Sequence, residues 1–282
     1  MKISVSSAVS CAREAVQEFS IREYAPFGVI LAAQLLFLIL ALNLGAPWGM
    51  ATAGWLAMLV GGAPVTHYPG FFLFLPNLAS VVEAFLYTIP GSILVPLSIV
   101  RILEPVDPAL RAPGAAAARV KGAALPVLVA ALASAGLFAA WQALSPKGPG
   151  PFIHSVAGGG TAGDSANWVV SILIAYAFSA CFLCVAIVAV KDPGGFGPTL
   201  VKGVKRSLQL IFFTYFFALL FSSPGLFLLY VTQVFGGQLV RQLRPEVMVV
   251  LLVAYIVLIN VGSYLLYAAT TRLFLVAEPE AA

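Results

Sequence analysis

Long uncharged stretches, joined by short polar connections, recur along this chain of 282 residues. No Asp, Glu, Lys or Arg lies between Glu23 and Glu83, and further uncharged stretches cover residues 84–100, 122–146, 165–190, 207–240 and 247–271. A helix needs about 20 mainly apolar residues to cross the hydrocarbon core of a bilayer. The pattern therefore predicts an all-α membrane protein, a polytopic bundle of about six transmembrane helices.

The predicted spans lie at residues 26–45, 74–100, 121–144, 167–190, 207–234 and 247–271, followed by a short tail at 275–282. Residues 48–65 are also uncharged, but this stretch is short and contains four glycines. We interpret it as a re-entrant or interfacial segment, which membrane proteins tolerate where other protein covers the backbone. A seventh span is the alternative.

Residues 1–25 carry a different pattern. Apolar side chains recur at a helical spacing while charged residues occupy the other side; the apolar positions are Val5, Val9, Ala12, Val16 and Phe19. This is typical of an amphipathic helix lying in the membrane interface. The charges inside the stretch exclude the continuous apolar core of a cleavable export signal.

Composition and charge agree with a membrane protein and orient it. Hydrophobic residues make up 61% of the chain and charged residues only 9%, against about 25% charged in soluble domains. In the predicted topology, twelve of the fifteen Lys and Arg residues fall on one side. Basic loops stay in the cytoplasm, so both termini are expected there, in a cell inner or plasma membrane. The excess of basic residues in the cytoplasmic loops accounts for the pI near 9.0, so the basic charge does not indicate binding to nucleic acid. The expected partner is the lipid bilayer.

Three hairpins of two spans each resemble one another weakly. The even-numbered spans share a small-then-aromatic step at Ala84, Ala175 and Ala254, each followed 16 to 18 residues later by a basic residue. Six residues beyond each alanine come positions that disturb a plain apolar helix, namely Pro90, Cys181 and Asn260. We interpret this as a weak threefold hairpin repeat, a feature common in transporters. The alternative is that any hairpin protein with basic cytoplasmic loops looks periodic.

Glu83 is the only acidic residue placed within a predicted span. A charged carboxylate near the centre of a membrane helix costs roughly 2.5–3.5 kcal/mol on insertion scales, so its side chain is expected to face other helices or a wet cavity. A functional interpretation makes it a proton or cation site. A structural interpretation has it protonated and bonded to Tyr87 or a neighbouring helix, or close to the outer interface.

A polar stripe begins at Asn260 and continues through Tyr264 in the last span. The candidate site is therefore a polar cavity between the even-numbered spans, lined by Glu83, Tyr87, Asn260 and Tyr264. Counted from the basic end of each span, Glu83 and Asn260 differ in depth by about one and a half turns, so direct contact is not required. Asn260 serves equally as an interhelical hydrogen-bonding residue, worth about 0.6 kcal/mol per bond.

Signatures of catalysis and of cofactor binding are missing from the sequence. Cys181 and Cys184 form a C-x-x-C pattern, but it lies inside a span without flanking charge, so packing as small apolar residues is favoured over redox chemistry. His67 and His154 fall in outer loops without a carboxylate cluster. We expect no cofactor, no metal site and no enzymatic activity.

Two hypotheses for function remain. The first is transport, or support of transport, of a small solute, ion or lipid through a cavity between helices, with Glu83 as the titrating group. The second is a non-catalytic membrane scaffold or subunit, acting through a partner protein or as a homo-oligomer. The sequence does not identify the cargo.

Overall fold

The structure, a computed structural model, describes residues 4–43, 71–144, 161–192, 194–234 and 246–277. In chain order these residues form helices α1 (Val5–Gln17), α2 (Ile21–Asn43), α3 (Phe71–Thr88), α4 (Gly91–Leu103), α5 (Ala115–Leu144), α6 (Thr161–Ala180), α7 (Leu183–Lys191), α8 (Phe196–Val234) and α9 (Glu246–Ala277). A short 3-10 helix, Pro108–Arg111, lies between α4 and α5. The described residues contain no strand, as expected of an all-α bundle.

Five candidate spans are long and apolar enough to cross a membrane, and the bent pair α3–α4 makes a sixth if it counts as one span. These six units correspond to the six predicted spans, although the helices run further than predicted. α8 has 39 residues, or about 58 Å at 1.5 Å per residue, which exceeds a hydrocarbon core of about 30 Å. The segment at 48–65 lies outside the described residues.

Two of the spans are broken near their middle. α3 and α4 meet at Ile89 and Pro90 with a bend of 62°. Pro90 has no N–H to donate to the carbonyl of Leu86. Next to it, the hydroxyl of Ser92 donates to the carbonyl of Ile89 at 2.7 Å. The disturbance expected at Pro90 is therefore a break between two helices.

The second break separates α6 from α7 at Cys181 and Phe182, without a proline or glycine. Here another helix supplies the missing hydrogen bond, because the Cys184 N–H donates to the Ser207 hydroxyl of α8 at 2.8 Å. Both breaks fall at positions that the hairpin repeat treats as equivalent. At the third position, Asn260, α9 continues unbroken.

The core lies mainly on the basic side of the bundle. Every residue of α7 from Leu183 to Val190 is buried, and α4, α5, α8 and α9 pack around it. In α5 the buried side chains end at Ala130, and no described side chain beyond it is buried. In α3 none is buried between Leu78 and Thr88. The bundle is thus tightly packed on one side of the two breaks and looser on the other.

α8 and α9 form the most extensive helix pair. Glycines allow their backbones to approach: a Cβ on Gly262 would lie 2.3 Å from the Phe221 carbonyl oxygen, and one on Gly225 would lie 3.2 Å from the Ile259 nitrogen. Close approach over small residues is a common source of helix association in membranes. This pair forms the rigid wall on which the other helices rest.

α1 packs on the C-terminal part of α9 through small side chains, those of Ala8, Cys11, Ala12 and Ala15. The larger apolar side chains of α1 point away from the bundle, since Val5 is 66% exposed and Val9 and Val16 are each 54% exposed. Two different apolar strips therefore run along this helix, one of small residues against protein and one of valines without a described partner.

Ion pairs hold the start of the chain to the bundle. Arg272 of α9 pairs with Glu18 at 2.9 Å, and Arg22 pairs with Glu104 at 2.9 Å. Burial raises the pKa of the Cys11 thiol above its usual value, and Glu14 adds to this effect while Arg272 opposes it. Cys11 is therefore a buried neutral thiol at the contact between α1 and α9.

Candidate functional site

A cavity of about 380 Å³ lies where the two broken spans face each other. Its wall includes Tyr87, Thr88 and Gly91 around the first break, and Ser179 and Phe182 around the second. α5 and α9 complete the wall. The volume falls within the range of roughly 300–1,000 Å³ typical of small-molecule sites.

The wall of this cavity is mostly apolar, with alanines contributed by five helices. Its polar side chains are hydroxyls only, those of Tyr87, Thr88, Ser134, Tyr176, Ser179, Ser263 and Tyr267. No Asp, Glu, Lys or Arg is among the described lining residues. Such a wall can hydrogen bond to a neutral group but offers no counter-charge to an ion.

Glu83 lies one helical turn before Tyr87 and is not part of the cavity wall. Its side chain is partly buried and accepts a hydrogen bond from the hydroxyl of Tyr255 on α9. Tyr87 and Tyr176, both in the cavity wall, also lie close enough to interact electrostatically with this carboxyl group. Glu83 is thus not a lining residue of the cavity, but it interacts with two tyrosines that are.

Tyr87 and Asn260, two of the predicted site residues, are in direct contact. The Tyr87 hydroxyl donates to Asn260 Oδ1 at 2.9 Å, and Asn260 Nδ2 donates to Gln34 Oε1 at 2.5 Å and to the Ile256 carbonyl at 2.7 Å. Asn260 and Gln34 are both buried. This cluster joins α2, α3 and α9 by hydrogen bonds at the depth of the first break.

Tyr264, the fourth predicted residue, belongs to a different cluster. Its hydroxyl donates to Glu23 Oε2 at 2.9 Å, and its ring meets Phe19, Tyr24 and Phe27 edge-on at centroid distances of 5.2 to 6.0 Å. It does not line the cavity. Together these contacts fix the start of α2 against α9.

Sequence reasoning did not select Gln34, Tyr255 or Tyr176. Gln34 had a detectable signal, because it is the only amide or charged side chain within the apolar run from Phe27 to Leu42. The two tyrosines had one as well, because each is the aromatic residue of the small-then-aromatic step in its span, although that step does not show that they lie near Glu83.

The C-x-x-C pair lies at the second break. Cys184 is fully buried, while Cys181 is partly buried and its thiol donates to the Ala177 carbonyl at 3.2 Å. Both are free thiols. His67 and His154 lie outside the described residues.

These observations define the class: the chain is a multi-pass integral membrane protein, whose described residues include five to six apolar helices of spanning length. Comparisons with protein-family models, with curated proteins and with solved structures found no match to this chain. The function must therefore be inferred from the site itself.

Proposed function

We propose that this protein transports, or helps to transport, a small uncharged molecule through the cavity between its helices, without catalysing a reaction. The single observation that carries this proposal is that two interrupted spans, α3–α4 with its bend of 62° and α6–α7, meet at the same cavity. Discontinuous helices near mid-membrane commonly mark the binding sites of transporters, because a break frees backbone groups that can contact a substrate.

The chemistry of the wall supports an uncharged cargo rather than an ion. Burying a charge without a partner in a low-dielectric site costs far more than burying a neutral polar group. The lining hydroxyls can each donate and accept, so they suit a ligand with hydroxyl, carbonyl or amide groups. The proposed ligand is therefore an uncharged solute or lipid, whereas the sequence alone also allowed an ion.

Glu83 is the proposed titrating group of this transporter. A carboxyl group held by Tyr255 and facing Tyr87 would alter the hydrogen bonds of the cavity wall as it gains or loses a proton. We expect Glu83→Gln to remove the pH dependence of flux while leaving the protein folded. If the pH dependence is unchanged, Glu83 is not the titrating group, but the proposal that the cavity binds the transported molecule still stands.

The cavity itself is tested by filling it. Ala131 lines the cavity, whereas Leu125, nearer the start of α5, is 56% exposed and does not line it. In proteoliposomes we expect wild type and Leu125→Trp to accelerate the movement of at least one of two uncharged probes, glycerol or an NBD-labelled neutral glycolipid, and Ala131→Trp to abolish it. Equal flux in both variants, or none above protein-free liposomes, would refute the proposal.

The orientation proposed for this transporter places the basic loops in the cytoplasm of the cell, with the chain in the inner or plasma membrane. Arg111 lies in the short 3-10 helix on this side. A cysteine introduced there in a cysteine-free background should react with an impermeant maleimide only after the cells are permeabilised. Labelling in intact cells would invert the topology.

A second candidate, a subunit that binds a partner protein, is favoured by one observation. The strip of Val5, Val9 and Val16 on α1 is exposed although the opposite strip is docked. If this amphipathic helix recruits a protein, the double change Val9→Ser and Val16→Ser should abolish recovery of a stoichiometric partner from native membranes. Recovery that survives the change would assign another role to the strip.

A further inference from the structure

We infer that the cavity takes its ligand from the bilayer, through the gap between α3 and the α5–α6 hairpin, and that the ligand is an uncharged, membrane-soluble molecule with a hydrogen-bonding head and an apolar body. This inference rests on the proposed function and names the ligand class and its route.

The first observation is where the wall is open. Most lining residues are buried or partly buried, but Ala84 of α3, Ala135 of α5 and Ser179 of α6 line the cavity and are also exposed. These three residues come from the two sides of the gap. The opening therefore lies on the flank of the bundle, away from the tightly packed basic side.

The second observation is what surrounds this opening. Phe85 follows Ala84 and is 57% exposed, and Leu132, which lies on the same side of α5 as Ala135 three residues away, is 54% exposed. In a membrane-spanning helix, large apolar side chains on the outside are those that face lipid. The rim of the opening is thus continuous with the lipid-facing surfaces of α3 and α5.

The third observation concerns the distribution of polarity inside. Hydroxyl-bearing residues, among them Ser134, Ser179 and Tyr267, line the same cavity as the small apolar side chains of Ala130, Ala131 and Ala175. A neutral head can hydrogen bond to the former while an apolar body packs against the latter. A charged head would find no counter-ion among the described lining residues.

The test uses the full-length protein in lipid nanodiscs with two photoactivatable probes that share one diazirine-bearing acyl chain. One probe is a neutral diacylglycerol and the other an anionic phosphatidylglycerol. We expect the diacylglycerol to label peptides of the cavity wall around Ala131 and Ser179, and phosphatidylglycerol to label only the outer surface. Ala131→Trp should reduce cavity labelling by diacylglycerol at least tenfold, and Leu125→Trp, at an exposed residue of α5 away from the opening, should leave it unchanged.

A second filling variant guards against misfolding of the first. Ala175→Trp fills the cavity from the α6 wall, and each variant is accepted only if its melting profile and elution volume match those of wild type. Loss of cavity labelling in either accepted filling variant supports the inference. Equal diacylglycerol labelling of the cavity in wild type and in both folded variants, Ala131→Trp and Ala175→Trp, refutes the inference.

Other outcomes separate the inference from the proposed function. If glycerol flux is blocked by Ala131→Trp but no lipid probe labels the cavity, the ligand enters from water, and only the route and the ligand class are refuted. If phosphatidylglycerol labels the cavity as strongly as diacylglycerol, the uncharged class is refuted. If neither flux nor labelling responds to filling, both proposals fail.

Discussion

The hydrogen bond between Tyr87 and Asn260 allows a quantitative test of the polar cluster. The two side chains belong to α3 and α9 and are joined by a bond of 2.9 Å at a fully buried asparagine. Interhelical hydrogen bonds in a membrane protein average about 0.6 kcal/mol and reach about 1.7 kcal/mol in double-mutant cycles. We expect the coupling free energy between Tyr87→Phe and Asn260→Ala to fall in this range.

Asn260→Ala alone should cost more than this coupling. It removes the bonds to Tyr87 and to Gln34, a buried side chain whose amide then has no partner from α9. Two average interhelical bonds sum to about 1.2 kcal/mol, and a buried polar group left unpaired raises the loss to roughly 2–3 kcal/mol. If Tyr87→Phe costs one average bond, about 0.6 kcal/mol, Asn260→Ala should lower the free energy of unfolding about three to five times as much.

The assay is reversible unfolding in mixed micelles, followed by circular dichroism, for the wild type, both single variants and the double variant. Tyr264→Phe is the matched control because this tyrosine, on the same helix as Asn260, bonds to Glu23 instead. Tyr264 lies one turn from Asn260 but shares no hydrogen-bond partner with it, so its coupling to Asn260→Ala should be smaller than that of Tyr87. A coupling of zero for Tyr87, or an equal one for Tyr264, would refute the contact between α3 and α9.

The remaining predictions concern the packing of the bundle. Gly262→Ala should lower the free energy of unfolding by about 1–3 kcal/mol, since the added methyl group meets backbone, whereas Gly136→Ala, with no atom nearby, should be neutral or stabilising in the same micelle assay. Ser207→Ala should cost about 1–3 kcal/mol because the Cys184 N–H at the second break loses its acceptor. Raising the pH from 8 to 10 should destabilise wild type more than Cys11→Ala, because the folded state keeps a thiol proton that the unfolded chain releases above about pH 8.5.

Each of these predictions has a result that contradicts it. Equal effects of alanine at the two glycines would mean that α8 and α9 are not in backbone contact. Ser223→Ala, at an exposed serine of α8, should change stability by less than about 0.5 kcal/mol, and a similar effect at Ser207 would remove its bridging role. A pH dependence identical in wild type and Cys11→Ala would show that this thiol titrates alike in both states.

Hydropathy alone was sufficient to predict the class of the fold. Six apolar units were expected, and the described residues contain five helices of spanning length, or six if the bent pair α3–α4 counts as one span, because an apolar run of about 20 residues is stable in a bilayer as a helix that crosses it. The register of the hairpin repeat also pointed to Pro90 and Cys181, where both helix breaks occur. Only Pro90 carries a local cause, the missing N–H of proline.

The pairing of polar side chains was only partly predictable. The expected polar site combined Glu83, Tyr87, Asn260 and Tyr264. In the structure Tyr87 bonds to Asn260, but Glu83 bonds to Tyr255 and Tyr264 bonds to Glu23. Spacing places residues on a face of their own helix. It does not state which helix that face meets, or at what depth.

The sequence by itself determined the class of the fold, an all-α membrane protein, and predicted which stretches are long and apolar enough to span the bilayer, because these properties depend on local hydropathy and charge. Only the tertiary structure decided that α6 ends at Ala180, where a serine of α8 accepts the N–H of Cys184, and that the two breaks face one cavity. Those features depend on contacts between residues distant in the chain, and the energy of such contacts is set by how helices pack rather than by the pattern along any one of them.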